Sequence, residues 1–282
     1  MPLRQLLPWW IGLTLLAALA WVVTVQQADG MGVGPGTMGL TLIAFIALWV
    51  VMMAAMMFPS VAPMAVVWIR SVSARKTGMQ RVAGVTEFLC GYMVAWAAFG
   101  LLAYGALLLS GRLVDASPTT ARWVGAAIFA VAGIYQLTPL KDMCLRHCRS
   151  PVGSLFHYAS FHGPARDLRV GMHHGAYCVG CCWGLMIVLI AVGAMNVAVM
   201  AALAVVILIE KVWIHGRGFA TAVGVTLLVA AVLALWVPSM LPGLQAHPMP
   251  AMPAMPTAPT MTTTQPMPSS SPMPAASMMP SM

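Results

Sequence analysis

Charge is what this sequence has least of. Asp, Glu, Lys and Arg make up 7% of its 282 residues, against about 25% in a soluble domain. With 61% of the chain hydrophobic, a water-soluble fold would lack the polar surface to cover itself. The composition predicts an all-α, polytopic transmembrane helix bundle surrounded by membrane lipids. Acidic residues are scarcest, 6 against 14 Lys and Arg. The net charge of +8 does not indicate nucleic acid, because the basic residues lie in short segments between apolar runs and no patch interleaves them with aromatics. Also missing are a Gly-rich, Lys-bearing phosphate loop and a cytoplasmic domain for the phosphorylated Asp of a pump, which argues against ATP-driven transport. The six cysteines are bunched rather than spread over loops, so they do not read as a disulfide framework.

What is present is a series of apolar runs. Trp9 to Val25 is long enough to cross a bilayer; Ala18-Leu19-Ala20 has the small-residue pattern of a signal-peptidase site, but the run continues beyond it, and a retained first span is expected. After a Gly-rich loop, Gly30 to Gly39, a second span runs from Leu40 to Phe58 and ends at Pro59-Ser60. Val82 to Ser110 and Trp123 to Leu140 make the third and fourth, and a polar segment follows from Lys141 to Tyr177. Val179 to Ile209 is apolar throughout; as one helix it would be about 46 Å long, beyond a hydrocarbon core of about 30 Å. Two short spans meeting near Met195-Asn196 are therefore expected, closed by Glu210-Lys211, with Phe219 to Val237 as the seventh. Counting the long run once gives the alternative of six.

Residues 1–237 thus read as the helical domain and 238–282 as a second region, an extended, disordered tail of Met, Pro, Ser and Thr without charge. The expected loops 70–81 and 141–177 carry four and five Lys/Arg, whereas loops 26–39 and 110–122 carry none and two. The positive-inside rule places the first pair and Arg4 in the cytoplasm, with seven spans sending the tail outside.

Soft metal donors recur at helical spacing. Cys144, His147 and Cys148 lie at i, i+3 and i+4, as do Cys178, Cys181 and Cys182, and Met53, Met56 and Met57, with Met52 beside them. The topology places all of them, and Glu87 and Cys90 at the start of the third span, toward the cytoplasmic boundary. Thiolates and thioethers select Cu(I); zinc competes for the thiolates alone. His173 and His174 precede the second cysteine block, and His247, Met249, Met252 and Met255 open the tail, where they form a candidate copper-scavenging set. Plainer readings stand beside these: methionine packing, Cys90 as a small hydrophobe, Glu87 as an interfacial group, and His157 and His162 as solvated loop residues. Gly180 and Gly184 would allow a neighbouring helix to come close.

Met52 to Ser60, Leu140-Lys141 through Cys148 to Pro151, and Gly175 to Met186 resemble a bacterial family of predicted metal-binding integral membrane proteins, the domain of unknown function 2182; Gly193 to Asn196 and Glu210-Lys211 match its later positions. Some of its members accompany a tyrosinase and are regarded as its copper chaperone. The resemblance implies Cys144, Cys148, Cys178, Cys181, Cys182 and the second-span methionines as ligands, a bacterial inner-membrane location, and a cuproenzyme or copper chaperone as partner. The expected activity is non-enzymatic: Cu(I) binding, with delivery to a cuproenzyme or across the membrane by ligand exchange. A membrane thiol oxidoreductase is the alternative, although Cys-x-x-x-Cys and adjacent cysteines match the usual redox spacing poorly. A structural subunit would leave the clustering unexplained.

Overall fold

The computed structural model describes residues 3–29, 36–37, 39–237 and 240–244; the tail beyond them, with His247, Met249, Met252 and Met255, lies outside the described residues. Among these, nine α-helices and no strands occur: α1 (Leu3–Asp29), α2 (Leu42–Ser73), α3 (Gly78–Ala116), α4 (Pro118–Gln136), α5 (Pro139–Arg149), α6 (Pro151–Ala159), α7 (Arg166–Val192), α8 (Val197–Val212) and α9 (Gly216–Trp236). Local chemistry sets several boundaries. The side chains of Thr41, Ser117, Thr138 and Asn196 each accept a bond from a backbone N–H of the helix they open, and Pro118 and Pro139 occupy first helical positions, where no N–H is needed. Gly193, at φ 102°, ends α7 close to the expected break at Met195-Asn196.

Two expected boundaries are corrected. α2 does not stop at Pro59 but continues to Ser73 through Pro59 and Pro63. Packed neighbours support the interrupted ladder, and the Ser60 hydroxyl turns back onto Met57 O at 2.9 Å. The polar segment 141–177 is not a loop: it comprises α5, α6 and the first part of α7. The cysteine block consequently lies near the middle of α7, and Met52 to Met57 near the middle of α2.

Two sets of contacts give the bundle its ends. At one end, Lys76 and Arg75 after α2 pair with Asp167 in the first turn of α7 (2.7 and 3.3 Å), and Arg149 of α5 donates to Trp213 O and Ile214 O between α8 and α9 (2.7 and 3.1 Å). At the other, the 3-10 turn Pro242–Leu244 abuts the end of α7, where a Cβ on Gly243 would lie 2.2 Å from Gly193 N, and Leu241 fills the space over Gly125 of α4. α8 runs back between these ends, yet its 16 residues reach only about 24 Å. By length and apolarity five helices can cross a membrane (α1, α2, α3, α7 and α9), or six if α4 and α5, bent by 63°, count as one span. The expected seven is not reached on that measure, because α8 is short. Leu15, Leu19, Leu102, Leu109, Val229 and Val232 point outward along these helices, an apolar exterior suited to lipid.

The tightest joint is α3 against α7. A Cβ on Gly91 would come 2.1 Å from Leu168 O, one on Gly171 2.0 Å from Phe88 O, and one on Gly175 2.7 Å from Ala95 Cβ. These backbones touch because nothing stands between them, the small-residue mode of packing apolar helices. Trp68 stacks on Phe88 and meets Tyr158 edge-on (ring centroids 5.9 and 6.1 Å), joining α2, α3 and α6.

Candidate metal centre

On α7, Cys178, Cys181 and Cys182 share one buried face, and their sulfurs all lie within 4.8 Å of one another. Cys181 Sγ is 3.3 Å from Cys182 Sγ. α5 adds a fourth sulfur, Cys148 Sγ, 3.8 Å from Cys181 Sγ. Cys144, one turn earlier, is buried against Gly180, where an added Cβ would come 2.9 Å from its sulfur. Gly184 likewise admits the Tyr135 ring of α4, and the Tyr135 hydroxyl donates to Gly180 O. Five of the six cysteines therefore meet where α5 lies on α7, all with free thiols.

Two other helices supply polar partners to Cys178, and a third braces one of them. Tyr92 of α3 places its hydroxyl 2.9 Å from the sulfur, a position set by the α3–α7 glycine joint. Lys211 of α8 donates to Cys178 Sγ at 3.0 Å and to Ser60 Oγ of α2 at 3.1 Å. Lys211 and Cys178 are both buried, and a buried ammonium needs a negative partner, which a thiolate provides. Its chain neighbour Glu210 faces elsewhere, pairing with Lys141 of α5 at 2.7 Å and accepting from Gln136 Nε2 at 2.7 Å. That pair fixes the α4–α5 bend, and with it Cys144 and Cys148, against α8.

Met52, Met53, Met56 and Met57 are all buried in the core of the bundle; none faces outward. The link the structure gives from them to the thiols is Ser60, whose hydroxyl lies 4.0 Å from Met57 Sδ and receives the Lys211 ammonium. His147, next to Cys148, stacks on Tyr177 with ring centroids 3.9 Å apart, and buried His174 packs against Tyr92 and Phe88. His157 is corrected from loop to helix: it sits on α6, exposed as expected, with its ring stacked on His173 at 5.2 Å between centroids. Cys90 is exposed on α3, away from the other five. Glu87 is half-buried and makes no ion pair among the described residues.

Ser60 and Tyr92 were invisible to sequence reasoning, since neither belongs to a cluster. Lys211 had a signal: a charge closing an apolar run is costly and usually functional. The donor set, four sulfurs beside one cation with no carboxylate in contact among the described residues, suits a soft monovalent ion. No curated protein and no solved structure matches the chain at a significant level. The model of the copper chaperone family PpoB2 matches residues 46–234, which contain every described group of this centre, and the chain belongs to that family.

Proposed function

We propose that the protein is a membrane-embedded carrier that binds Cu(I) between Cys148, Cys178, Cys181 and Cys182 and passes it to a copper-using partner by sulfur-to-sulfur exchange. The observation that carries this reading is the convergence of four thiols from two helices beside a buried lysine. A Cu(I) ion held by two thiolates has a net charge of −1, and the Lys211 ammonium balances it without a second buried anion. Exchange among neighbouring sulfurs of similar affinity needs no ATP. The methionines of α2 continue the soft-donor environment from Met57 away from the thiols, which supports movement along the bundle as well as hand-over at one end. We read the protein as a carrier rather than an enzyme, with zinc as a competitor at the thiols.

The location we propose is the bacterial inner membrane, with the N-terminus and the Arg75, Lys76, Arg149 and Arg169 end in the cytoplasm. Seven crossings are supported by the direction of α8, which returns from the Gly193 end to the Arg149 end; the tail then leaves on the outer side. The test of function is metal content: purified protein should hold Cu(I) stoichiometrically, and C181S/C182S should hold none at this centre. Two observations favour a second reading: the approach of Cys148 to Cys181 across two helices, and the Cys-x-x-Cys spacing of Cys178 and Cys181 within α7. A thiol oxidoreductase would bind no copper and would trap a mixed disulfide with its substrate once one of these cysteines is replaced. That outcome would sink the carrier reading.

A further inference from the structure

Outside the thiols, at the cytoplasmic end as proposed above, three imidazoles from three helices gather around one phenol, with a fourth, His174, beside His147. His147 of α5 and His173 of α7 both reach the buried Tyr158 hydroxyl, at 2.8 and 3.4 Å. The His147 ring centroid lies 6.2 Å from that of His157 on α6, 6.1 Å from His173 and 6.0 Å from His174. Exposure falls along the series: His157 is exposed, His147 and His173 are half-buried, and His174 is buried. His174 Nδ1 has no hydrogen-bond partner among the described residues, a costly state for a buried polar atom that otherwise marks a ligand or a water. A surface cavity of about 550 Å³, lined by Asp142, Arg146, His147, Ser154 and Tyr177 among others, gives access to His147 from outside.

We propose that His147, His157 and His173 form a second ion site, a nitrogen-donor site for a borderline transition-metal ion such as copper or zinc, which receives the ion before the thiols do. Imidazole is the donor common to those metals. Among the described residues, the ligand atoms that already lie within 4.8 Å of one another are the three α7 sulfurs. The imidazoles close on an ion when the exposed His157 ring turns inward, displacing the Tyr158 hydroxyl from one ring nitrogen. The route inward is short in the chain: His147 precedes Cys148, whose sulfur is 3.8 Å from Cys181. The site stands on its own geometry, whereas its use as the receiving station rests on the copper reading.

The experiment separates the two. Full-length C181S/C182S in detergent is titrated with Zn(II) alone, a probe that does not oxidise the remaining thiols, and read by zinc-edge X-ray absorption. The expected result is a bound zinc with imidazole nitrogens at about 2.0 Å, lost when His157 and His173 are both replaced by alanine. His157→Ala, an exposed change, gives the same comparison if the double variant fails to fold. No bound zinc, sulfur-only coordination, or nitrogen coordination indifferent to these substitutions overturns the site. In the otherwise native chain, H157A/H173A should slow Cu(I) loading from a small-molecule donor roughly tenfold at unchanged final stoichiometry. An unchanged rate overturns the receiving role, while a native protein that binds no Cu(I) overturns the carrier reading and leaves the nitrogen site to stand or fall on the zinc result.

Discussion

The two ends of this bundle are built from different chemistry. From the Arg149 end to the middle of α7, α2, α3 and α7 meet α5 and α6, and buried ion pairs, thiols and imidazoles share the space. At the Gly193 end the joints between described residues are mainly apolar: Leu241 over Gly125, Gly243 against Gly193 and, further along, Phe45 of α2 against Tyr104 of α3, with one polar contact where Trp49 Nε1 donates to Trp96 O at 3.1 Å. The contrast separates what holds the fold from what it is for. Apolar contacts at one end ask only for shape, whereas each polar group at the other must be answered by a partner or its burial destabilises the chain. Glu210 and Lys211 show the same division within one dipeptide. Glu210 is answered by Lys141 and Gln136 and serves the architecture; Lys211 is answered by Cys178 and serves the site.

The largest effect should therefore come from Glu210. Glu210→Ala leaves the Lys141 ammonium buried without its partner, at a cost of roughly 3–5 kcal/mol, to be read as lowered thermal stability in detergent. Leu241→Ala at the opposite end should cost less, about 2 kcal/mol, the low side of the range for a buried leucine because the turn can settle into the space. If the two rank the other way, the apolar end is the fragile one and the contrast is inverted.

Lys211→Met tests the other half of the dipeptide. It keeps a long side chain in place and removes the charge, so the fold should persist while Cu(I) affinity falls roughly tenfold, about 1.4 kcal/mol, in competition with a chromophoric chelator. A stability loss as large as that of Glu210→Ala, with affinity unchanged, would make Lys211 architectural too. Met57→Leu should act more weakly still. It conserves volume, so stability should change by less than about 1.5 kcal/mol, and affinity should drop a few-fold only if the thioether contributes to binding.

Much of this was legible beforehand because it rests on local rules. Apolar run length located α1, α3, α4 and α9, with ends off by as much as six residues, and excess length predicted the break that Gly193 makes. Helical spacing put Cys178, Cys181 and Cys182 on one face. Illegible were the features that depend on partners. Whether Pro59 ends a helix is decided by the neighbours that hold the interrupted ladder, and whether His157 lies in a loop or on a helix stacked against His173 is decided by where α6 folds back onto α7. Tyr92 reaches Cys178 because three glycines let two backbones touch, a relation between residues some 80 positions apart that no local pattern encodes. Cys90 shows the opposite limit: its end of the helix made it an accessory candidate, while its side of the helix leaves it exposed, in keeping with the plainer reading of a small hydrophobe.

Cys90 accordingly makes the smallest prediction. It precedes Gly91 and Tyr92, which press against α7, so the turn of α3 that aims Tyr92 at Cys178 aims Cys90 outward. Cys90→Ser should leave copper stoichiometry, affinity and thermal stability unchanged, with stability within about 0.5 kcal/mol as for other exposed positions. An alkylating reagent should label Cys90 first in the native protein, while Cys178, Cys181 and Cys182 resist until copper is removed and the bundle is unfolded. A fall in copper content on replacing Cys90 would break the comparison at its root. An outward sulfur can reach an ion only if something outside the bundle brings the ion to it, and the centre would then be completed by a second chain rather than enclosed by one.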